Sequence, residues 1–126
     1  MNEANQTRVV AVVDDMFFAS KIRQAAKQAG VSLEIAKNTR GLLNTLTEST
    51  PGLIVIDLNS EKLKPLELVR DIKSSDELKI VPILGYLPHV EEQLKEESIT
   101  AGCDMVMPRS RFSNELASIL KNYAKS

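Results

Sequence analysis

The segment VVAVVDD, residues 9–15, decides the fold, because an apolar run ends there in two adjacent acids. A second apolar run, residues 53–56, is followed in the same way by Asp57. Short apolar runs of this kind are typical of buried strands. If the two runs form neighbouring parallel strands, their carboxyl ends lie side by side, at the sheet edge where ligands bind in open α/β folds. The sequence therefore predicts that Asp14, Asp15 and Asp57 share one small crevice.

A crevice with three carboxylates favours a bound cation. Like charges a few ångström apart raise one another's pKa unless a cation lies between them. Carboxylate oxygens are hard ligands that suit magnesium, which is usually bound with phosphate nearby. The alternative for a strand-end acid is a helix N-cap, since an Asp side chain accepts bonds from the first N–H groups of a helix. That alternative explains one acid more readily than Asp14, Asp15 and Asp57 together, so we predict a Mg²⁺ site.

Length and composition narrow the class of protein. The chain has 126 residues, 43% hydrophobic residues and a formal net charge of -1, which fits one compact domain with a sizeable core. We expect a single domain over residues 1–126, with a core from about residue 7 to about residue 124 and no second domain. The single Cys103 cannot form an internal disulfide and belongs to no Cys/His array, which favours a reducing cytoplasm over a zinc site.

Charge and hydropathy exclude two classes of partner. Sixteen basic and seventeen acidic residues are interspersed along the chain, so no basic patch for nucleic acid is visible. No uninterrupted apolar stretch approaches the ~18 residues of a membrane span. We therefore predict a cytoplasmic protein that binds neither nucleic acid nor membrane.

Apolar runs alternate with helical patterns about five times, which is typical of a parallel sheet with crossover helices. The predicted strands are 8–13, 33–36, 53–56, 80–86 and 104–107. Gly30 ends the first predicted helix, and Pro65 occupies the first turn of the third. The residues predicted to face the core from the five helices are, in order, Ile22, Ala25, Ala26 and Ala29; Leu42, Leu43 and Leu46; Leu66, Val69 and Ile72; Val90, Leu94 and Ile99; and Phe112, Leu116, Ile119 and Leu120.

With these features the chain resembles the receiver domains of bacterial response regulators, a family that includes the free-standing chemotaxis regulator. The resemblance covers nearly the whole chain and depends on several weak motifs that are specific together. These are the pair Asp14-Asp15, Asp57 some forty residues later, the Asp-x-Asn loop from Asp57 to Asn59, PLEL at 65–68, Pro82, and AGCD at 101–104. The resemblance implies a three-layer α/β fold, a doubly wound (βα)5 parallel sheet of order 2-1-3-4-5 like that of flavodoxin.

The resemblance also implies a chemistry for the matching residues. Asp57 would be the phospho-acceptor, whose carboxylate attacks a phosphoryl donor in line and becomes an aspartyl phosphate. Asp15 would coordinate Mg²⁺ directly, Asp14 would support the metal, and the backbone carbonyl of Asn59 would complete the protein ligands. The metal would neutralise the carboxylates and the phosphoryl oxygens, so that positioning and electrostatics supply most of the rate.

Several positions depart from the family pattern. Leu87 and Pro88 stand where the family has a Thr or Ser followed by a small residue, so neither position carries a hydroxyl. Val106 stands at the position of the aromatic switch. Arg109 replaces the usual Lys, and Ser110 replaces the proline that follows it. Arg109 keeps the positive charge and can hold phosphate bidentately, although its alternative role is a weak surface ion pair.

Two functions follow as alternatives. The first is a single-domain receiver in two-component phosphorelay signalling, which takes a phosphoryl group from a histidine kinase or phosphotransfer protein and docks the face of its fourth and fifth helices on a downstream protein. The second is a pseudo-receiver, a binding module independent of phosphorylation, which the losses at Leu87 and Val106 permit. A haloacid-dehalogenase-like phosphatase is excluded, because it needs a second acid at the position of Asn59 and the chain lacks room for its other motifs. We therefore expect stoichiometric autophosphorylation and no turnover enzyme.

Two further features are open to more than one interpretation. Phe17 and Phe18 follow the acidic pair, where they either screen the crevice or pack in the core, and we expect at least one of them to pack. Cys103 lies at a helix-to-strand junction, which is typical of a small buried thiol without a redox role.

Overall fold

Five short parallel strands form a single sheet in the order β2-β1-β3-β4-β5. The computed structural model describes residues 8–38, 42, 50–89 and 91–124. The strands are β1 (Val9–Val12), β2 (Leu33–Ala36), β3 (Leu53–Asp57), β4 (Ile83–Leu87) and β5 (Met105–Pro108). The helices are α1 (Met16–Ala29), α2 (Pro65–Ser74), α3 (Glu92–Ala101), α4 (Arg109–Asn114) and α5 (Leu116–Ala124), with a 3₁₀ turn at Glu61–Leu63. The predicted three-layer α/β fold and its 2-1-3-4-5 strand order are confirmed.

The sheet is buried on both faces, because side chains alternate along each strand. One face packs against α1, α4 and α5. Its larger core residues are Val55, Leu84, Tyr86, Phe18, Ile22, Phe112, Leu116, Ile119 and Leu120. The opposite face packs against α2. Its larger core residues are Ile54, Ile56, Leu58, Ile83, Leu87, Leu68, Val69 and Ile72. The two cores explain why the strands carry continuous apolar runs instead of an alternating pattern.

Local sequence sets the ends of α1. The side chain of Asp15 accepts hydrogen bonds from the amides of Phe17 and Phe18 and so caps the helix. Gly30 ends the helix in the left-handed conformation at φ 70°, which glycine adopts without steric cost. Pro65 occupies the first turn of α2. The predicted roles of Gly30 and Pro65 are confirmed.

The predicted fourth strand begins too early. It was expected from residue 80, but β4 starts at Ile83, and Ile80 is 79% exposed. Pro82 has no N–H for the ladder, and it contributes its carbonyl, which accepts from the amide of Ile54 at 3.0 Å. The apolar run therefore predicts too long a strand, because Pro82 has no N–H group to donate to the neighbouring strand.

Several predicted core positions differ in the structure. In α2, Leu68 is buried and Leu66 only half-buried. In α3, the prediction for Ile99 is wrong, because it is half-exposed and Ser98 is buried instead, with its hydroxyl donating to the carbonyl of Leu94 at 2.7 Å. The predicted core residues of α4 and α5 are all buried. In the second predicted helix Leu42 is buried, whereas Leu43 and Leu46, like Val90 of the fourth, lie outside the described residues.

No helix in the described part of the chain is both long and apolar enough to cross a membrane.

Candidate active site at the carboxyl edge of the sheet

The three acids come from two neighbouring strands. Val12 of β1 is in register with Ile56 of β3, so the residues that follow β1 lie beside the end of β3. Asp57 is the last residue of β3 and is 6% exposed. Asp14 and Asp15 are half-buried in the segment between β1 and α1. The structure thus brings the three predicted acids to one edge of the sheet.

Each carboxylate is held by a hydrogen bond through one oxygen. Asp14 Oδ2 accepts from the hydroxyl of Ser60 at 3.0 Å. Asp15 Oδ1 accepts from the amides of Phe17 and Phe18 at 3.0 and 3.3 Å. Asp57 Oδ1 accepts from the amide of Asn59 at 3.0 Å. These hydrogen bonds orient the three acids.

The electrostatics of Asp57 reflect its neighbours. Burial raises the pKa of the Asp57 carboxyl above its ordinary value, and the negative charges of Asp14 and Asp15 raise it further. The Asn59 amide and the positive charge of Arg109 lower this pKa. Burial and the neighbouring negative charges therefore disfavour the charged form of Asp57.

The donor set fits magnesium. The carboxylate oxygens of Asp14, Asp15 and Asp57 and the carbonyl oxygen of Asn59 are all hard oxygen donors. Among the described residues, no group of three or more His, Cys, Asp or Glu side chains is placed so that it could hold a metal ion. Magnesium keeps several waters and is usually held by only one or two carboxylates, so it does not require three side chains to converge.

Arg109 supplies the positive charge of the site. It is the first residue of α4, directly after β5. Its guanidinium carbon lies 5.5 Å from the centre of the Phe18 ring, within the range of a cation–π contact. Its Nε atom is buried and has no hydrogen-bond partner in the described part of the chain. Arg109 is therefore positioned by an aromatic ring while its Nε–H donor remains unsatisfied.

Three aromatic rings form the floor beside the acids. Phe18 lies 4.8 Å from Tyr86 and 5.9 Å from Phe112, measured between ring centres. Tyr86 and Phe112 stack at 5.3 Å with an interplanar angle of 12°. Phe18 is buried and Phe17 is 90% exposed, which confirms that at least one of the pair packs.

Tyr86 was not among the site residues predicted from the sequence. It is in register with Asp57 across the β3–β4 pair, so its side chain lies on the same face of the sheet. Pairing register is a property of the folded sheet, and the sequence showed Tyr86 as one more apolar position in a strand. The only indication in the sequence that Tyr86 belongs to the site was its polar hydroxyl, one residue before Leu87.

The positions that depart from the family pattern lie around the site as follows. Leu87 is 1% exposed and belongs to the core on the α2 side of the sheet, so it contributes no polar atom. Val106 of β5 is partly buried against the same core. Pro88, Ser110 and Arg109 line an open cleft of about 670 Å³ beside Asp15. Cys103 is buried, and burial raises the pKa of its thiol to about 12, in keeping with the expected inert thiol.

Known proteins resemble this chain in sequence and in fold. No protein-family model matches the chain. The chain is 28% identical over 110 residues to the response regulator MprA of Mycolicibacterium vanbaalenii, covering 86% of this chain and 46% of that protein. It thus spans about half the length of the curated relatives that it matches.

Solved structures of receiver domains superpose on nearly the whole chain. The chemotaxis response regulator CheY4 of Vibrio cholerae matches with a TM-score of 0.81 at 20% identity, over 94% of this chain and 98% of that one. The receiver domain of the sensor histidine kinase PA1611 from Pseudomonas aeruginosa matches with a TM-score of 0.80 at 16% identity, over 96% and 99%. That domain is described with a magnesium ion coordinated in the active site cleft.

The chain has the fold of a response regulator receiver domain, and its sequence is similar to that of response regulators.

Proposed function

We propose that the protein accepts a phosphoryl group on Asp57, with Mg²⁺ bound beside it, and signals by protein–protein contact in a two-component system. The observation that carries the proposal is the setting of Asp57: a buried carboxylate at the end of β3, whose pKa responds to Asp14, Asp15 and Arg109. The curated relatives are response regulators, and the superposed receiver domain of PA1611 is described with magnesium in its cleft.

In the proposed reaction an oxygen of Asp57 attacks the phosphorus atom of the donor in line. The bond between phosphorus and the donor breaks as the new bond to Asp57 forms, and the donor departs with the electron pair. The amide of Asn59 holds the other oxygen of Asp57 in place. Arg109 binds the phosphoryl oxygens.

Asp14, Asp15, Asp57 and the backbone carbonyl of Asn59 would hold the Mg²⁺ ion, with Asp57 binding it through the oxygen that does not attack the phosphorus atom. When bound, the ion supplies charge neutralisation for the acids and the phosphoryl oxygens. Each molecule takes up one phosphoryl group, so the process is stoichiometric and the protein is not a turnover enzyme.

The partners follow from the same proposal. The phosphodonor is a histidine kinase or a phosphotransfer protein. The downstream partner is a protein that docks on the face formed by the fourth and fifth predicted helices, which correspond to α3 and to α4 with α5. The location is the cytoplasm, where a buried, lone Cys103 stays reduced.

Intact mass spectrometry tests the proposal. The protein is incubated with Mg²⁺ and acetyl phosphate or phosphoramidate, beside Asp57→Asn and the control Asp71→Asn, which changes an exposed acid on α2. We expect one phosphoryl addition to the wild type and to the control, and none to Asp57→Asn. Equal labelling of Asp57→Asn would overturn the assignment of the acceptor.

A phosphorylation-independent pseudo-receiver is the second candidate. It is favoured by Leu87, which lies in the core and offers no hydroxyl, and by Val106 at the switch position. This candidate predicts no addition to the wild type and no binding of beryllofluoride with Mg²⁺.

A further inference from the structure

The hydroxyl of Tyr86 is a buried donor without a partner. Tyr86 is 1% exposed, and its oxygen makes no hydrogen bond within the described residues. A buried polar group without a partner destabilises the folded state, so such groups call for a physical explanation. The Nε atom of Arg109 is a second unsatisfied donor of this kind.

Both donors interact electrostatically with Asp57. Tyr86 is in register with Asp57 on the neighbouring strand, and paired residues direct their side chains to the same face of a sheet. The charge of Arg109 acts on Asp57 and on Tyr86 alike. Two donors that are unsatisfied within the described residues and that interact electrostatically with Asp57 point to an acceptor that arrives when Asp57 is modified.

The ring of Tyr86 is fixed by its neighbours. It stacks on Phe112 and contacts Phe18, whose ring also lies under Arg109. The hydroxyl therefore has a defined position, and only rotation about its C–O bond is needed to orient the proton.

The phenol is a permanent donor. Burial raises its pKa far above the ordinary value, and the negative charge of Asp57 raises it further. It therefore stays protonated at neutral pH, whatever the charge of the acids.

We propose that Tyr86 is a phosphoryl-binding residue, whose hydroxyl donates a hydrogen bond to an oxygen of the phosphoryl group on Asp57. The inference rests on the proposed function. A phosphoryl group brings three peripheral oxygens, each a strong acceptor, into a site where Leu87 offers no donor. Tyr86 supplies a neutral donor that complements the charges of Arg109 and the metal.

Beryllofluoride binding in the presence of Mg²⁺ tests the inference. Beryllofluoride mimics a phosphoryl group on a carboxylate, and Tyr86→Phe keeps the stacked ring while it removes only the hydroxyl. We expect affinity to fall at least about tenfold, the effect of losing a hydrogen bond to a charged group. The matched control is Tyr123→Phe, whose hydroxyl lies 3.3 Å from the sulfur of Met105, and its affinity should equal that of the wild type.

Two further readouts separate a binding role from a packing role. The chain has two tyrosines and no tryptophan, so tyrosine emission of Tyr123→Phe reports on Tyr86 alone, and we expect it to change on binding. The melting temperature of metal-free Tyr86→Phe should equal or exceed that of the wild type, because an unsatisfied group has been removed.

The outcomes distinguish this inference from the proposed function. If the wild type binds through Asp57 and Tyr86→Phe binds equally well, the role of Tyr86 is overturned and the proposed function stands. If the wild type does not bind, or Asp57→Asn binds as tightly, the proposed function fails and the inference fails with it.

Discussion

At the residue scale, the site combines a buried negative charge with neighbours of the same sign. Asp57 is nearly fully buried, whereas Asp14 and Asp15 are half-buried and already hydrogen-bonded. A buried carboxylate near other acids destabilises the metal-free folded state. Carboxylates that destabilise the folded state in this way are typical of functional sites.

Asp57→Asn should therefore stabilise the metal-free protein. We expect a gain of about 1 kcal/mol, or roughly 4 °C in melting temperature, for a domain of this size. Because the folded-state pKa is raised above the ordinary 3.8, the folded protein binds this proton more tightly than the unfolded chain, and the wild type loses stability as pH rises through that range. The gain should thus be largest at neutral pH and shrink toward pH 3.8. Thermal melts of both proteins in EDTA across this range measure it, and a less stable Asp57→Asn at pH 7 would contradict the account.

Arg109→Ala should separate phosphoryl binding from metal binding. We expect Mg²⁺ affinity to stay nearly the same and beryllofluoride affinity to fall about ten- to hundredfold, because the guanidinium meets the phosphoryl oxygens and not the metal. The control is Arg111→Ala on the same helix, which removes an exposed ion pair with Glu115 at 2.9 Å. Titration calorimetry with each ligand makes the comparison, and an equal loss of both affinities would count against this role.

At the element scale, Gly85 of β4 packs closely against Leu58, the residue that follows β3. Gly85 of β4 faces the side chain of Leu58, which directly follows Asp57. A Cβ atom at position 85 would lie 2.7 Å from Cγ of Leu58, closer than packed carbon atoms approach. The absence of a side chain at Gly85 thus lets the loop after Asp57 close over the sheet.

Gly85→Ala should therefore destabilise the fold and disturb the site. We expect a loss of about 1–3 kcal/mol, the usual effect of overpacking, measured by urea unfolding. In the double variant Gly85→Ala with Leu58→Ala, the clash is relieved, so the two changes should be non-additive. Additive losses would show that Gly85 and Leu58 do not interact in this way.

The elements also show how far the sequence predicts the fold and the site. The ends of β1 and β3 could be predicted, because each apolar run stops at an acid, and this placed Asp14, Asp15 and Asp57 together. The start of β4 could not, since the proline at its border removes a donor without interrupting the apolar run. Tyr86 escaped prediction because its relation to Asp57 depends on strand register, which emerges only when the sheet forms.

At the scale of the whole molecule, the sheet places the three acids at one edge, and its helices cover both faces. Both faces of the sheet are covered by buried apolar residues, and Asp14, Asp15 and Asp57 lie at its carboxyl edge. A phosphoryl group on Asp57 can act as a message only if it changes the relative stability of two conformations that a partner distinguishes. The contacts of Arg109 and Tyr86 with that group are the proposed source of this difference.

The central claim is that Asp57 carries the phosphoryl group, and site mapping tests it most directly. The protein is treated with phosphoramidate and Mg²⁺, reduced with borohydride, digested and sequenced by tandem mass spectrometry. Borohydride converts an aspartyl phosphate into homoserine and leaves an unmodified aspartate unchanged. The account predicts homoserine at position 57 and at no other acid. Homoserine at Asp14, Asp15 or another position, or none anywhere, would contradict it.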